Sequence, residues 1–390
     1  MRRTAFSAAA CVAAALLATA CGSSTTPAST TSSAPAAGAS SAPAAGASSA
    51  PAAGASSATT AKFTGCMVAD DGTIDDRSFN QSAWDGMQAA AASDPNITVK
   101  YLPSPQGTEA EYVANINTFI SEKCGIIVTV GYTMAQATAA AAKANPTMNF
   151  AIVDNPGAPV IKNQSSLVYD TVQDGFLGGY LAAGMSKTGK VGTYGGQELP
   201  TVTIYMDGFW DGVNYYNQQH HTNVQVLGWD EQTQKGEFTN SFTDETAGQT
   251  ITQTFIDEGA DVIFPVAGDV GLGSLKAVES ADQAAGSTKV TMEWVDTDGC
   301  FSLPSDCKYF ISSVTKGIQT SVEHDVLTAA KGTFTGGNYI GTLANGGVVL
   351  SSFHDFSGQV PAALKAELKT ITTDIENGTI KPATKSPVTG

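Results

Sequence analysis

From Lys62 onward the chain alternates short β-branched runs with longer helical patterns, and this alternation limits its fold more than any other feature. The first strand reads KFTGCMVAD, and a helix is predicted from about Ser78 to Ala92. ITVKYL, a helix near Glu109 to Glu122, GIIVTV, a helix from Met134 to Ala144 and MNFAIVD follow in order. Such near-continuous apolar strands belong in a parallel sheet covered by helices on both faces. A helix around Phe176 to Met185 leads into a second series, with strands KVGTYG, VQVLGW, DVIFPV, KVTMEWV and KYFISSV. Its helices are predicted near Asp207 to His220, Thr246 to Glu258 and Leu272 to Asp282. GVVLSSF reads as a late strand, and a last helix is expected near Pro361 to Glu376. Roughly 330 residues are too many for one ordinary core. Two successive α/β units, facing each other as lobes across a cleft, are the economical reading.

The residues before this body have a different character. Arg2 and Arg3 precede an apolar run from Ala8 to Ala20, and the run meets Cys21. It is too short for a stable membrane span, and Ala18, Thr19 and Ala20 leave room for a signal peptidase. Residues 1–20 resemble a bacterial lipoprotein signal, with Cys21 the lipidated first mature residue and the cell membrane, extracytoplasmic side, the location. An ordinary secretory cleavage with Cys21 incidental is the alternative. Residues 21–61 continue as a tether containing three copies of SAPAAGAS from Ser33 to Ser56. Its side chains bury too little apolar area to offset the entropy of ordering them.

The formal charge is −16, and loss of Arg2 and Arg3 with the signal makes it about −18. No basic patch is present to hold nucleic acid or to draw the body onto anionic lipid. Cys66 lies in the first strand and Cys124 at the start of a later one, so the two can be sheet neighbours and form a disulfide. Cys300 and Cys307 bracket a loop that a second disulfide would clip. Bridges of this kind fit an exported protein. A four-thiolate zinc site is the rival, and it lacks the usual cysteine spacings. His324 and His354 have no ligand-spaced partners, so no metal and no cofactor is called for.

Ligands of open α/β sheets sit outside the carboxyl ends of the strands. The residues there are Asp70, Gly131, Asp154, Gly196, Gly268, Asp296 and Lys316. Carboxylates recurring at strand ends suit a polar, hydroxyl-bearing ligand, although each alone also reads as a turn or cap residue. Ser78 reads as the N-cap of the first helix. Phe79, beside Asp70, offers either a core side chain or a flat platform for an aromatic ring.

An ordered set of motifs sharpens this reading. It comprises DDRSFNQSAWDG (Asp75 to Gly86), DGFLGGYLAAGM (Asp174 to Met185), VGTYGG with MDGFWDGV (Met206 to Val213) and SFTDETAG (Ser241 to Gly248). DVIFPVAGDVGLGSLKA (Asp261 to Ala277), VDTD (Val295 to Asp298) and SSVTKG (Ser312 to Gly317) complete it. Together they resemble the basic-membrane-protein family of bacterial lipoproteins, purine-nucleoside receptors of certain ABC transporters, from Lys62 to about Glu376. The resemblance implies an α/β, two-lobed periplasmic-binding-protein fold of type I, with three hinge crossings. Lobe 1 would span 62–174, completed by part of 312–345. Lobe 2 would span 175–311, completed by part of 346–376, with 377–390 a tail.

Carried over by matching motifs, the ligand set is Asp70, Phe79, Asn80, Asp154, Phe242, Gly268, Asp296 and Lys316. Phe79 and Phe242 would sandwich a purine, while Asp296 and Lys316 would bond the sugar hydroxyls. Gly268 would let backbone approach the ligand. A buried Lys316 needs a carboxylate close by, so an ion pair with Asp154 or Asp296 is expected. One lysine among carboxylates suits a free nucleoside (guanosine, inosine or adenosine) better than a nucleotide. The implied protein is a monomeric, non-catalytic receptor that serves an ABC permease and holds to the membrane through its lipid. A ligand-sensing or surface interaction protein on the same fold is the alternative reading, and a nucleoside-acting hydrolase a further one. The stretch AGDVGLG departs from the family in Asp269 and Val270, where relatives are richer in glycine and threonine.

Replacing Cys21 by Ala should move the protein from the membrane fraction to the soluble or secreted fraction. Unchanged detergent-dependent membrane association would rule out Cys21 as the anchor.

Overall fold

In the computed structural model, which describes residues 62–157 and 159–388, the apolar runs form two six-stranded sheets and a short hairpin. The signal segment, Cys21 and the tether lie outside the described residues. The first sheet opens with β1 (Phe63–Ala69), β2 (Ile97–Leu102), β3 (Ile126–Val130), β4 (Asn149–Val153) and β5 (Gln164–Tyr169). The second takes β6 (Lys190–Gly195) and β7 (Gln225–Leu227), and the hairpin β8 (Trp229–Asp230) and β9 (Lys235–Gly236) follows. It continues with β10 (Val262–Val266), β11 (Thr291–Asp296) and β12 (Phe310–Lys316). Then β13 (Gly337–Gly341) returns to the first sheet and β14 (Val348–Leu350) to the second. The orders are β13-β5-β4-β3-β1-β2 and β14-β12-β11-β10-β6-β7, every pairing parallel except β12 with β14.

The chain therefore passes between the sheets three times, after β5, β12 and β13, as the resemblance implied. The crossings are bonded to one another: Asp170 N–H donates to Gly341 O at 2.8 Å, and Gly317 N–H to Gly347 O at 2.8 Å. Helices α1 (Phe79–Ser93), α2 (Glu109–Ser121) and α3 (Ala135–Ala144) serve the first sheet. The next are α4 (Val172–Met185), α5 (Pro200–His220), α6 (Glu245–Asp257), α7 (Val270–Ala285) and the single turn α8 (Gly299–Ser302). Helix α9 (Ile318–Ala330) packs on α1, and α10 (Ala362–Glu376) on α4. Both cysteine pairs are joined, Cys66 to Cys124 with Cα atoms 6.0 Å apart and Cys300 to Cys307 at 4.5 Å. The first is possible because β1 and β3 are adjacent in the sheet.

Several elements differ from the sequence reading. Strand β5 begins Gln-Ser-Ser, which reads as polar loop, yet all six of its residues are buried between neighbouring strands. The sequence pattern marks no element between Lys316 and Gly347, where α9 and β13 lie. Helix α5 starts at Pro200, not Asp207, because the proline supplies a helix start that outweighs the β-branched Thr-Val-Thr-Ile after it. The VQVLGW run breaks at Gly228, whose φ of +81° ends β7 and lets β8 turn away.

Gly175 and Gly179 of GFLGGYLAAGM, and Gly208 and Gly212 of MDGFWDGV, pack helix on helix, while Gly178 faces the sheet. A Cβ added to Gly179 would lie 1.9 Å from Phe209 O, and one on Gly212 would lie 2.0 Å from Phe176 O. Helices α4 and α5 therefore meet backbone to backbone, and α4 is nearly all buried. Under α4 sits Glu293 of β11, fully buried, with neither carboxylate oxygen hydrogen-bonded. A Cβ on Gly178 would stand 2.8 Å from its Oε2, so the glycine makes the room.

Burial pushes the Glu293 carboxyl well above its ordinary value near 4.5. Below that value the group is neutral in both folded and unfolded chains and costs nothing. As pH rises the unfolded chain ionises first, and stability falls until the folded group also titrates. Glu293→Gln should therefore gain stability over the natural protein progressively as pH rises above the ordinary carboxyl value near 4.5. Denaturant melts at a series of pH values check it, and a pH-independent difference would refute the assignment.

Candidate ligand-binding site

The strand ends converge on one cavity of about 590 Å³. Asp70 follows β1, Gly131 follows β3 and Asp154 follows β4 on one side. Val266 ends β10 and Gly268 follows it, Asp296 ends β11 and Lys316 ends β12 on the other. All eight residues proposed from the sequence (Asp70, Phe79, Asn80, Asp154, Phe242, Gly268, Asp296 and Lys316) line this cavity. Asp154 and Asp296 share a backbone feature, φ of +64° and +65°, which is rare for residues with a side chain. Asp154 directly follows β4 and Asp296 closes β11, each just after a valine, and each takes the left-handed turn there. Strain of this kind collects at functional sites.

Lys316 is the electrostatic centre. Its Nζ lies 2.6 Å from Asp154 Oδ2 and 3.4 Å from Asp296 Oδ1, with the three side chains only 4%, 7% and 9% exposed. The same Nζ stands 5.0 Å from the Phe79 ring centre and 5.1 Å from that of Tyr205. Burial opposes its charge, but Asp154 and Asp296 outweigh burial and hold its pKa above the usual lysine value. The expected ion pair is therefore a triad, with one carboxylate from each sheet.

At the other end, Asn80 Nδ2 donates to Asp70 Oδ1 at 3.1 Å. That leaves Asn80 Oδ1 buried without a partner. Burial raises the Asp70 carboxyl well above its ordinary value; the Asn80 bond opposes this, and Asp76, Asp71 and Asp154 add to it. Gly131 admits this carboxylate: with φ of +122°, an added Cβ would fall 2.1 Å from Asp70 Oδ2. Gly196 does the same for Phe242, whose ring carbon would lie 2.4 Å from a Cβ there. Burial lifts Asp76 to about 7. Burial, with Glu245 adding, lifts Asp269 to about 6, and both line the cavity.

Ser78 occupies the N-cap position but makes no cap bond. Asp76 caps α1 instead, accepting the N–H groups of Ser78, Asn80 and Gln81 at 3.0, 2.7 and 2.9 Å. The Ser78 hydroxyl is turned to Asp296 Oδ2 at 3.0 Å. Tyr205, absent from the sequence reading, donates its hydroxyl to Asp296 Oδ1 at 3.1 Å and lines the cavity. A helix begun at Asp207 leaves Tyr205 outside any element; Pro200 is the signal that includes it. His354, read as partnerless, lies 2.7 Å from Asp298 Oδ2 across 56 residues of chain. Cys300 beside them is tied into its disulfide, so among the described residues this cluster offers only two free metal donors.

The family described as "ABC transporter substrate-binding protein PnrA-like" matches residues 63–388. The chain belongs to that family. Within it, the chain is similar to the "ABC transporter nucleoside-binding protein BmpA" of Lactococcus lactis subsp. cremoris, at 30% identity over 82% of this chain and 88% of the relative. It is also similar to a "CD4+ T-cell-stimulating antigen" of Listeria monocytogenes, at 32% over 71% of this chain and 76% of that one. Among solved structures, an ABC transporter solute-binding protein from Aeropyrum pernix K1 aligns with a TM-score of 0.71 and 23% identity, over 82% of this chain and 92% of its own. One from Conexibacter woesei aligns at 0.63 and 20%, over 82% and 98%. These structures share the type I periplasmic-binding-protein fold with this member of the family. Solute binding for an ABC transporter is the role that family membership carries.

Lys316→Met leaves Asp154 and Asp296 facing each other without their shared cation. It should lower stability by about 3–5 kcal/mol. Adding Asp154→Leu should recover part of the loss, as chemical denaturation of both variants would show.

Proposed function

We propose that this protein captures purine nucleosides between its lobes and delivers them to the permease of an ABC importer. The observation that carries the reading is the composition of one cavity wall: Phe79 and Phe242 with the Lys316–Asp154–Asp296 triad. Aromatic faces hold a base by stacking, whatever its edge. Sugar hydroxyls both donate and accept, so a carboxylate beside an ammonium meets them in either role. The nucleoside-binding name of the lactococcal relative supports the same ligand class.

In this reading the first sheet with α1–α3, α9 and β13 forms one lobe, and the second sheet with its helices forms the other. The body is held outside the cell membrane by a lipid on Cys21, works as a monomer and performs no chemistry on its ligand. Asp70 and Asn80 face the ligand near Phe79. Gly268, with φ of +57°, brings backbone toward it from the loop after β10.

Calorimetric titration with guanosine, inosine, adenosine, uridine, ribose and a branched-chain amino acid tests this. Purine nucleosides should bind tightly, with no product formed. Phe79→Ala and Phe242→Ala should each weaken binding by roughly 1–3 kcal/mol. Asp296→Ala should affect guanosine far more than guanine. Binding of free sugar or amino acid alone would overturn the ligand class, and equal losses for guanosine and guanine would place Asp296 at the wrong end.

A further inference from the structure

Arg77 and Ser78 do not themselves line the cavity, yet they carry a set of polar contacts from the first lobe to β11. Ser78, fully buried, points its hydroxyl at Val295 O and Asp296 Oδ2, both 3.0 Å away. Arg77 O accepts from Trp294 Nε1 at 2.9 Å and from Thr297 Oγ1 at 3.0 Å. Arg77 has φ of +56°, and Asp296 across from it +65°, so both sides of the contact are held in disfavoured backbone.

Asp296 is thus gripped from two directions. Its Oδ1 faces Tyr205 and Lys316, which belong to its own lobe, at 3.1 and 3.4 Å. Its Oδ2 faces Ser78, from the opposite lobe. A hydroxyl bonded to a carboxylate is one of the stronger neutral-to-charged contacts. With one oxygen fixed by each lobe, the plane of the carboxylate is set only when both lobes are in place.

We propose that Ser78 and Tyr205 are positioning residues for Asp296, and that the Ser78 contact makes the orientation of this ligand-facing carboxylate conditional on lobe closure. The proposal rests on the reading of Asp296 as a sugar-facing group. Its consequence is that closure and recognition of the sugar are one event. A ligand shifts a conformational equilibrium only by its differential affinity for the two states. Asp296 supplies that difference, because its ligand-binding geometry exists in one state alone. A free base, which does not reach Asp296, gains less from the same closure.

The test compares Ser78→Ala, Ser78→Thr and Tyr205→Phe with the natural protein, all full chains. One readout is guanosine and guanine affinity with stopped-flow dissociation rates. The other is the separation of a label pair, one label in each lobe, without ligand. Ser78→Ala should weaken guanosine roughly ten-fold or more, chiefly through faster dissociation, with a smaller effect on guanine, and should widen the label separation. Ser78→Thr, which keeps the hydroxyl, should restore most of both. Tyr205→Phe should weaken guanosine over guanine while leaving the label separation unchanged. Unchanged guanosine affinity in Ser78→Ala overturns the proposal, as does an equal loss for guanosine and guanine. If the natural protein binds no nucleoside, the proposed function has failed instead. In that case an unchanged label separation in Ser78→Ala would still overturn the lobe contact.

Discussion

The molecule depends on one buried ammonium. Lys316 ends β12 at the point where the chain leaves the second sheet, and it meets Asp154 of the first sheet and Asp296 of the second. An unpaired charge at that depth would be prohibitively desolvated. It is tolerable only because two strand ends, more than a hundred residues apart in sequence, converge on it. The convergence in turn requires both sheets to be parallel and to present their carboxyl ends to the same space. The ion triad and the two-lobed architecture therefore presuppose each other.

Around the triad the cavity is less negative than its count of aspartates suggests. Burial holds Asp70 well above the ordinary range and raises Asp76 to about 7 and Asp269 to about 6. A neutral carboxyl can donate as well as accept. The wall thus offers a mixture of donors and acceptors around a single paired cation, a combination suited to uncharged polar ligands and poorly suited to phosphate.

The second lobe secures its part of the wall by close backbone contact. Glycines on α4 and α5 let the two helices approach until Cβ atoms would collide. That packing fixes α5, whose first turns carry Thr201, Val202 and Tyr205 into the cavity. The chain tail reinforces it: Asp207 of α5, fully buried, accepts from Trp229, Gln234, Thr384 and the Lys385 N–H. The position of Tyr205 against Asp296 is thus set by groups far along the chain.

Alternating apolar runs and helical patterns were enough to read the two α/β units, because burial on both faces of a parallel sheet leaves a mark in local composition. The strand-end residues were legible for the same reason, since a run that stops at Val-Asp shows where its carboxyl end lies. Strand β5, helix α9 and β13 were not, because polar or mixed segments become sheet or helix only when neighbours bury them. Ser78 shows the limit most plainly. Local sequence makes it a helix cap, and only the arrival of β11 from more than two hundred residues away turns its hydroxyl to Asp296 while Asp76 takes over the cap. Sequence by itself determined which residue types stand at the strand ends, because local hydrophobicity sets where each strand stops. Tertiary structure alone decided which of them share a cation or a wall, because those partnerships depend on distances that no local pattern encodes.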